Sequence, residues 1–184
     1  MTAETAVATT LPAKRVITLF VCVLLLSVGL IWAWLAMRAV MGVGGSCASG
    51  GPYEIATPCP DGAWLISLAI PMIIITAMIG SAVAIGLNAP NLLLAMWFLL
   101  FASLGWNFLE YGIFRGDVEA GFIVCGVLFE LMAFPVLFLV PWGLRKRPTA
   151  VPGAAPTWFW VVCYLGLASV GISIGAWSYV AIST

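Results

Sequence analysis

The chain has no histidine at all, and only 8% of its 184 residues are charged, against roughly a quarter in an ordinary soluble domain. Without histidine there can be no histidine-ligated haem, no histidine zinc site and no Ser-His-Asp triad. The Gly-x-x-x-x-Gly-Lys phosphate loop is also missing, and the one glycine-rich stretch lacks the basic residues and helix context to cradle phosphate. No cofactor and no metal are expected. Catalysis stays open only through carboxylates, cysteines or a partner, so the sequence points away from an enzyme. Nucleic acid is not among the partners it suggests.

What is present is apolar. Hydrophobic residues make up 64% of the chain, concentrated in five stretches: Val16 to Val40, Ala63 to Leu87, Leu92 to Phe114, Gly121 to Val140 and Trp158 to Ile182. Each meets the roughly 20 residues that a helix needs to cross about 30 Å of hydrocarbon. Inside lipid every peptide group must be satisfied within its own segment, which favours helices. The expected fold is therefore an all-α, five-helix transmembrane bundle. A cleaved signal peptide is the alternative reading of the first stretch, but its apolar run is longer than the roughly 7 to 15 residues of a signal core.

Basic residues in short loops stay on the cytoplasmic side. Lys14 and Arg15 precede the first span, and Arg145, Lys146 and Arg147 follow the fourth. Four crossings separate the two groups, so both fall on one side. The N-terminus is expected in the cytoplasm and the C-terminus outside. Residues 1–15 read as a flexible cytoplasmic segment and 16–182 as a single membrane domain, with an outer loop at 41–62 and a cytoplasmic loop at 141–157. Asn88-Ala89-Pro90-Asn91 reads as a tight turn making the second and third spans an antiparallel pair. Tryptophan favours the headgroup level: Trp64 and Trp177 are expected at the outer interface, and Trp142, Trp158 and Trp160 at the inner one. Trp32 and Trp34 fit packing equally well.

The outer loop carries Cys47 and Cys59 among Gly-Gly-Pro and Pro-Cys-Pro turns. On the oxidising side of a membrane such a pair forms a disulfide, here read as a structural staple. A redox role fits less well, because catalytic dithiols usually occur as Cys-x-x-Cys. A zinc site would lack most of its ligands. Cys22, Cys125 and Cys163 lie within spans and read as packing residues.

Ionisable groups at membrane depth are costly and mark candidate sites. Glu130 lies about 15 Å along the fourth span, near the bilayer middle. Pro135 removes an N–H nearby and frees the carbonyl of Leu131. Asn107, Glu110 and Tyr111 share one face of the third span. Arg38 is placed to reach Glu110, and an interfacial structural pair is preferred over an ion site. Were Asn107, Glu110 and Glu130 to converge, they would form an outward-opening acidic cavity. In the fifth span Gly171 and Gly175 form a small-residue stripe for helix packing, within the chain or against another subunit.

The segments Cys47-Ala-Ser-Gly-Gly-Pro52-Tyr53, Cys59-Pro-Asp61-Gly62 and Leu104-Gly-Trp-Asn107-Phe-Leu-Glu110-Tyr-Gly resemble an uncharacterised family of small bacterial integral membrane proteins. The likeness covers the first loop and third span. It implies a multi-pass protein of the bacterial plasma membrane, and it supplies no activity, substrate or cofactor. The expected function is that of a non-catalytic accessory or scaffold component of a larger membrane assembly. A small transporter or ion pathway using the intramembrane acids is the alternative, and a thiol-redox or other membrane enzyme the third reading. Lipid, other membrane subunits or further copies of the chain are the expected partners.

Overall fold

The computed structural model describes residues 13–48, 57–115, 118–145 and 155–183, with the backbone alone for 140–145. Residues 1–12, the middle of the loop that carries Cys47 and Cys59 (49–56), Gly116, Asp117, Lys146, Arg147, the stretch Pro148 to Ala154 and Thr184 lie outside the described residues, as does the side chain of Trp142. The rest is all-α: α1 (Ala13–Gly42), α2 (Leu65–Gly86), α3 (Leu92–Phe114), α4 (Ala120–Arg145) and α5 (Thr157–Ile182). All five are long and apolar enough to cross a membrane. Their ends lie within a few residues of the sequence expectation, the largest differences being three more residues at the start of α1 and five more at the end of α4.

Local chemistry explains where the helices stop. α1 ends in a glycine-rich turn in which Gly44 and Gly45 take φ values of +100° and +80°, a left-handed region that a β-carbon makes costly. Between α2 and α3 the chain reverses through Asn88, itself left-handed at φ 54°. Asn91 then caps α3 by accepting from the Leu93 N–H at 2.8 Å. Ser81 ties this turn to α2: its hydroxyl donates to Asn91 Oδ1 at 2.8 Å and accepts from the Leu93 N–H at 2.9 Å.

The helices run alternately up and down. One end gathers the α1–α2 loop, the α3–α4 connection and the close of α5, with Gly62 against Tyr179 and Ser183, and Gly45 against Phe122. At the other end Arg15 lies over Gly86, and the Tyr164 hydroxyl donates to the Pro90 carbonyl at 3.2 Å. α1 is the hub, packing on α2, α5 and α3, while α4 packs on α3. Although the turn joins α2 to α3, α3 shares far more surface with α4 than with α2.

The core follows that plan. Leu19 and Cys22 of α1 meet Ile73 and Ala77 of α2 and Trp160 of α5 in one buried cluster. Trp160 corrects the sequence expectation. It is fully buried, with Phe20, Phe159 and Tyr164 around its ring, because α5 turns this position onto α1. Trp64, Trp158 and Trp177 are exposed. Trp32 is a packing residue, donating to the Gly175 carbonyl at 3.1 Å and to Ser178 Oγ at 2.9 Å. Cys125 is likewise corrected: it is exposed, whereas Cys22 is buried and Cys163 intermediate.

Gly171 and Gly175 are buried in the α1–α5 seam. A β-carbon at Gly171 would stand 2.8 Å from the Leu24 carbonyl oxygen, and one at Gly175 would strike Ile31. The small-residue stripe thus serves contact within the chain. The opposite side of α5 and most of α4 present large apolar side chains outward, among them Leu128, Leu131, Phe138, Val162 and Leu165.

Candidate functional site

Two clusters of polar groups lie on α3, and helix geometry keeps them apart. At about 100° per residue, Ser103, Asn107 and Glu110 fall on one face, whereas Gly105, Leu109 and Gly112 fall on the other. The contacts agree. Asn107 and Glu110 meet Arg38 of α1, while Gly105, Leu109 and Gly112 meet Glu130, Gly126 and Phe122 of α4.

On the α1 side, Arg38 donates to both oxygens of Glu110, at 2.5 and 2.9 Å, and to Asn107 Oδ1 at 3.1 Å. A planar guanidinium engaging a carboxylate through two parallel bonds is geometrically demanding and stronger than a neutral hydrogen bond. Four-fifths of each side chain in the Arg38–Glu110 pair is removed from solvent. Arg115, at the end of α3, adds a second cation, with Nη2 3.0 Å from Glu110 Oε1. The Tyr111 ring lies within cation–π reach of both arginines, 5.7 Å from the Arg38 guanidinium and 5.1 Å from that of Arg115. Its hydroxyl donates to the Arg38 carbonyl at 3.1 Å. Trp34, one turn before Arg38, stacks on the same guanidinium at 4.9 Å. Asn107 is fully buried, and its amide nitrogen has no partner among the described residues.

Glu130 is elsewhere. It lies half-buried at the α3–α4 seam, and a β-carbon on Gly105 would meet its carboxyl oxygen at 2.8 Å. Among the described residues it has neither an ion pair nor a hydrogen bond. The three-residue acidic cavity considered from the sequence is therefore not assembled, since the bulk of α3 separates Glu130 from Asn107 and Glu110. A ladder of rings follows the same seam, from Trp97 through Phe101, Phe129 and Phe108 to Phe122. Trp97 also donates to the Met132 carbonyl at 3.1 Å, three residues before Pro135 and adjacent to the carbonyl of Leu131.

Two cavities flank the Arg38 cluster. One, of about 300 Å³, is apolar and runs between α3 and α5 over α1, bordered by Ser27, Ile31, Trp34, Leu99, Ser103 and Ile172. The other, of about 630 Å³, lies at the loop end, where Met41, Gly44, Tyr111, Arg115, Glu119 and Phe122 form its walls. At the same end of the bundle the α1–α2 loop is closed by the Cys47–Cys59 disulfide, with the two α-carbons 4.9 Å apart and the Ala48 N–H donating to the Thr57 carbonyl at 3.1 Å. Among the described residues no three metal-ligating side chains come together.

Arg115 and Gly105 were not singled out by the sequence. Arg115 follows Glu110 by five positions, outside the usual three- and four-residue helix pairings. It reaches back because the helix ends between them. Gly105 gave no signal beyond being the small residue two before Asn107. Compared with family models, with curated proteins and with solved structures, the chain finds no match.

Proposed function

We propose that this chain is a non-catalytic, multi-pass protein of a bacterial plasma membrane, serving as an accessory component of a larger membrane assembly. Its N-terminus is cytoplasmic, and its C-terminus and disulfide loop face outward. The membrane setting is supported by five long apolar helices, and the orientation by Lys14 and Arg15 at the start of α1 and Arg145 at the end of α4.

The observation that carries the assembly reading is Glu130. It sits about 15 Å along α4, half-exposed, and has no partner among the described residues. Lipid tails offer a carboxyl group no hydrogen bond, and acids at this depth pair with another protein group or line a water-filled path. Glu130 borders neither of the cavities beside the Arg38 cluster. A polar group on a neighbouring chain is the complement it calls for, and the long apolar faces of α4 give that chain a surface to lie on. By contrast, Arg38 and Glu110 pair with each other, and Asn107 Oδ1 accepts from Arg38, as a clamp between α1 and α3 would.

Native mass spectrometry from intact membranes tests this reading. Wild-type protein is expected to leave the membrane with at least one further chain, and Glu130→Leu to lose it while keeping its helical content. A solitary wild-type monomer would overturn the proposal. In liposomes, Glu130→Gln is expected to leave ion flux at the background of empty vesicles, as is the wild type; flux that depends on Glu130 would favour a transporter instead.

A further inference from the structure

The loop-end cavity is not explained by an assembly role. Its volume, about 630 Å³, falls within the range of small-molecule sites, and its wall combines charge with apolar surface. Arg115 commits Nε and Nη2 to Glu110, which leaves its other terminal nitrogen free to donate. Glu119, four residues on, has no ion pair or side-chain hydrogen bond among the described residues. Its backbone N–H donates to the Gly112 carbonyl at 3.1 Å, which fixes the residue at the start of α4. Arg115 and Glu119 thus line one cavity without neutralising each other.

The charge balance narrows the ligand. Among the described residues, Arg38 and Arg115 stand against Glu110 and Glu119 around the cavity and the clamp beside it, two positive and two negative. These four charges cancel, and so give no long-range preference to a simple anion or cation. A free donor and a free acceptor on the same wall do favour a molecule carrying both an oxyanion and an ammonium group. The surroundings add a third condition. Phe114 and Val118, next in the chain to Arg115 and Glu119, are 73% and 72% exposed, so large apolar side chains stand open at the same end of the bundle. A soluble zwitterion has no use for that surface, whereas an amphiphile does.

We propose that this cavity binds the headgroup of a zwitterionic phospholipid bearing a primary ammonium, its phosphate on Arg115, its ammonium on Glu119 and its acyl chains along Phe114 and Val118. Met41 and Phe122 close the apolar side of the cavity. Gly44, with φ +100° and open space where a β-carbon would stand, keeps the mouth wide. The proposal rests on the membrane reading and is independent of the assembly role.

The test uses the full chain reconstituted in lipid nanodiscs. Carbonate extraction comes first: a chain that washes off fails the membrane reading, and a retained chain is carried forward. Retention of phosphatidylethanolamine is then compared with that of phosphatidylcholine and phosphatidylglycerol by native mass spectrometry. Wild type is expected to favour phosphatidylethanolamine over both by about tenfold, the scale of one charge-assisted hydrogen bond. Glu119→Gln is expected to erase the preference over phosphatidylcholine, whose quaternary ammonium donates no hydrogen bond. Arg115→Gln is expected to weaken retention of all three. Free phosphoethanolamine is expected to compete only weakly, because it lacks the chains. Equal retention of the three lipids by the wild type would overturn the proposal, as would a preference that survives both substitutions. Tight binding of free phosphoethanolamine without lipid selectivity would overturn the lipid as occupant.

Discussion

Glu130 lies across Gly105: the acid of α4 occupies the space that a side chain on α3 would fill, with its carboxyl oxygen 2.8 Å from where a β-carbon would stand. The absent side chain creates the niche. It also puts the acid on the side of α3 turned away from Arg38, so the two polar centres of the molecule act separately.

Gly105→Ala should therefore move the Glu130 carboxyl toward the surface of the bundle while changing stability little, because a flexible side chain can give way. Gly171→Ala should behave differently, since its β-carbon would press on the Leu24 carbonyl of the α1 backbone. A loss of about 1 to 3 kcal/mol is expected there, the usual cost of overpacking. Gly166, with open space around it, is the control, and Gly166→Ala should be neutral or stabilising by up to about 1 kcal/mol. Denaturant unfolding in detergent, followed by tryptophan fluorescence, ranks the three. An equal loss at positions 166 and 171 would contradict the close approach of α5 to α1.

The Arg38–Glu110 clamp should show coupling in a double-mutant cycle. Glu110→Gln leaves a largely enclosed guanidinium without its counter-charge, and a loss of about 2 kcal/mol is expected. Arg38→Met with Glu110→Leu removes both charges and should lose less than Arg38→Met and Glu110→Leu do when their separate losses are added. Additive losses would show that the pair is not energetically linked.

Reducing the Cys47–Cys59 disulfide, or replacing both cysteines by serine, is expected to lower stability by about 3 kcal/mol in the chain-entropy description, for a bridge spanning 12 positions. After reduction, a membrane-impermeant thiol reagent should label these cysteines from outside intact cells. Labelling only from the cytoplasmic side would reverse the proposed orientation.

Trp32→Phe should cost about 1 kcal/mol by removing the indole N–H that donates to Gly175 and Ser178. Ser178→Ala should cost less, because the Gly175 carbonyl still receives the indole. Comparable losses would mean that Ser178 carries the contact.

The number, length and approximate ends of the helices were legible in the sequence, because hydrocarbon-length apolar runs and the residues that interrupt them are local properties. Asn91 could be read as part of a turn before α3 from its immediate context, and Cys47 and Cys59 as a pair from the side of the membrane to which the basic residues assign their loop. The face shared by Asn107, Glu110 and Tyr111 followed from helical spacing, and Arg38 lay at a matching depth on α1. What spacing could not supply was the rotation of each helix, since stretches that are apolar all round have no polar side to orient them. Only the packed structure placed Glu130 behind α3, turned Trp160 into the core, left Cys125 on the surface and brought Arg115 back to Glu110. Those outcomes depend on which side chains fill the gaps between neighbouring helices, a property of the assembled bundle that no single stretch contains.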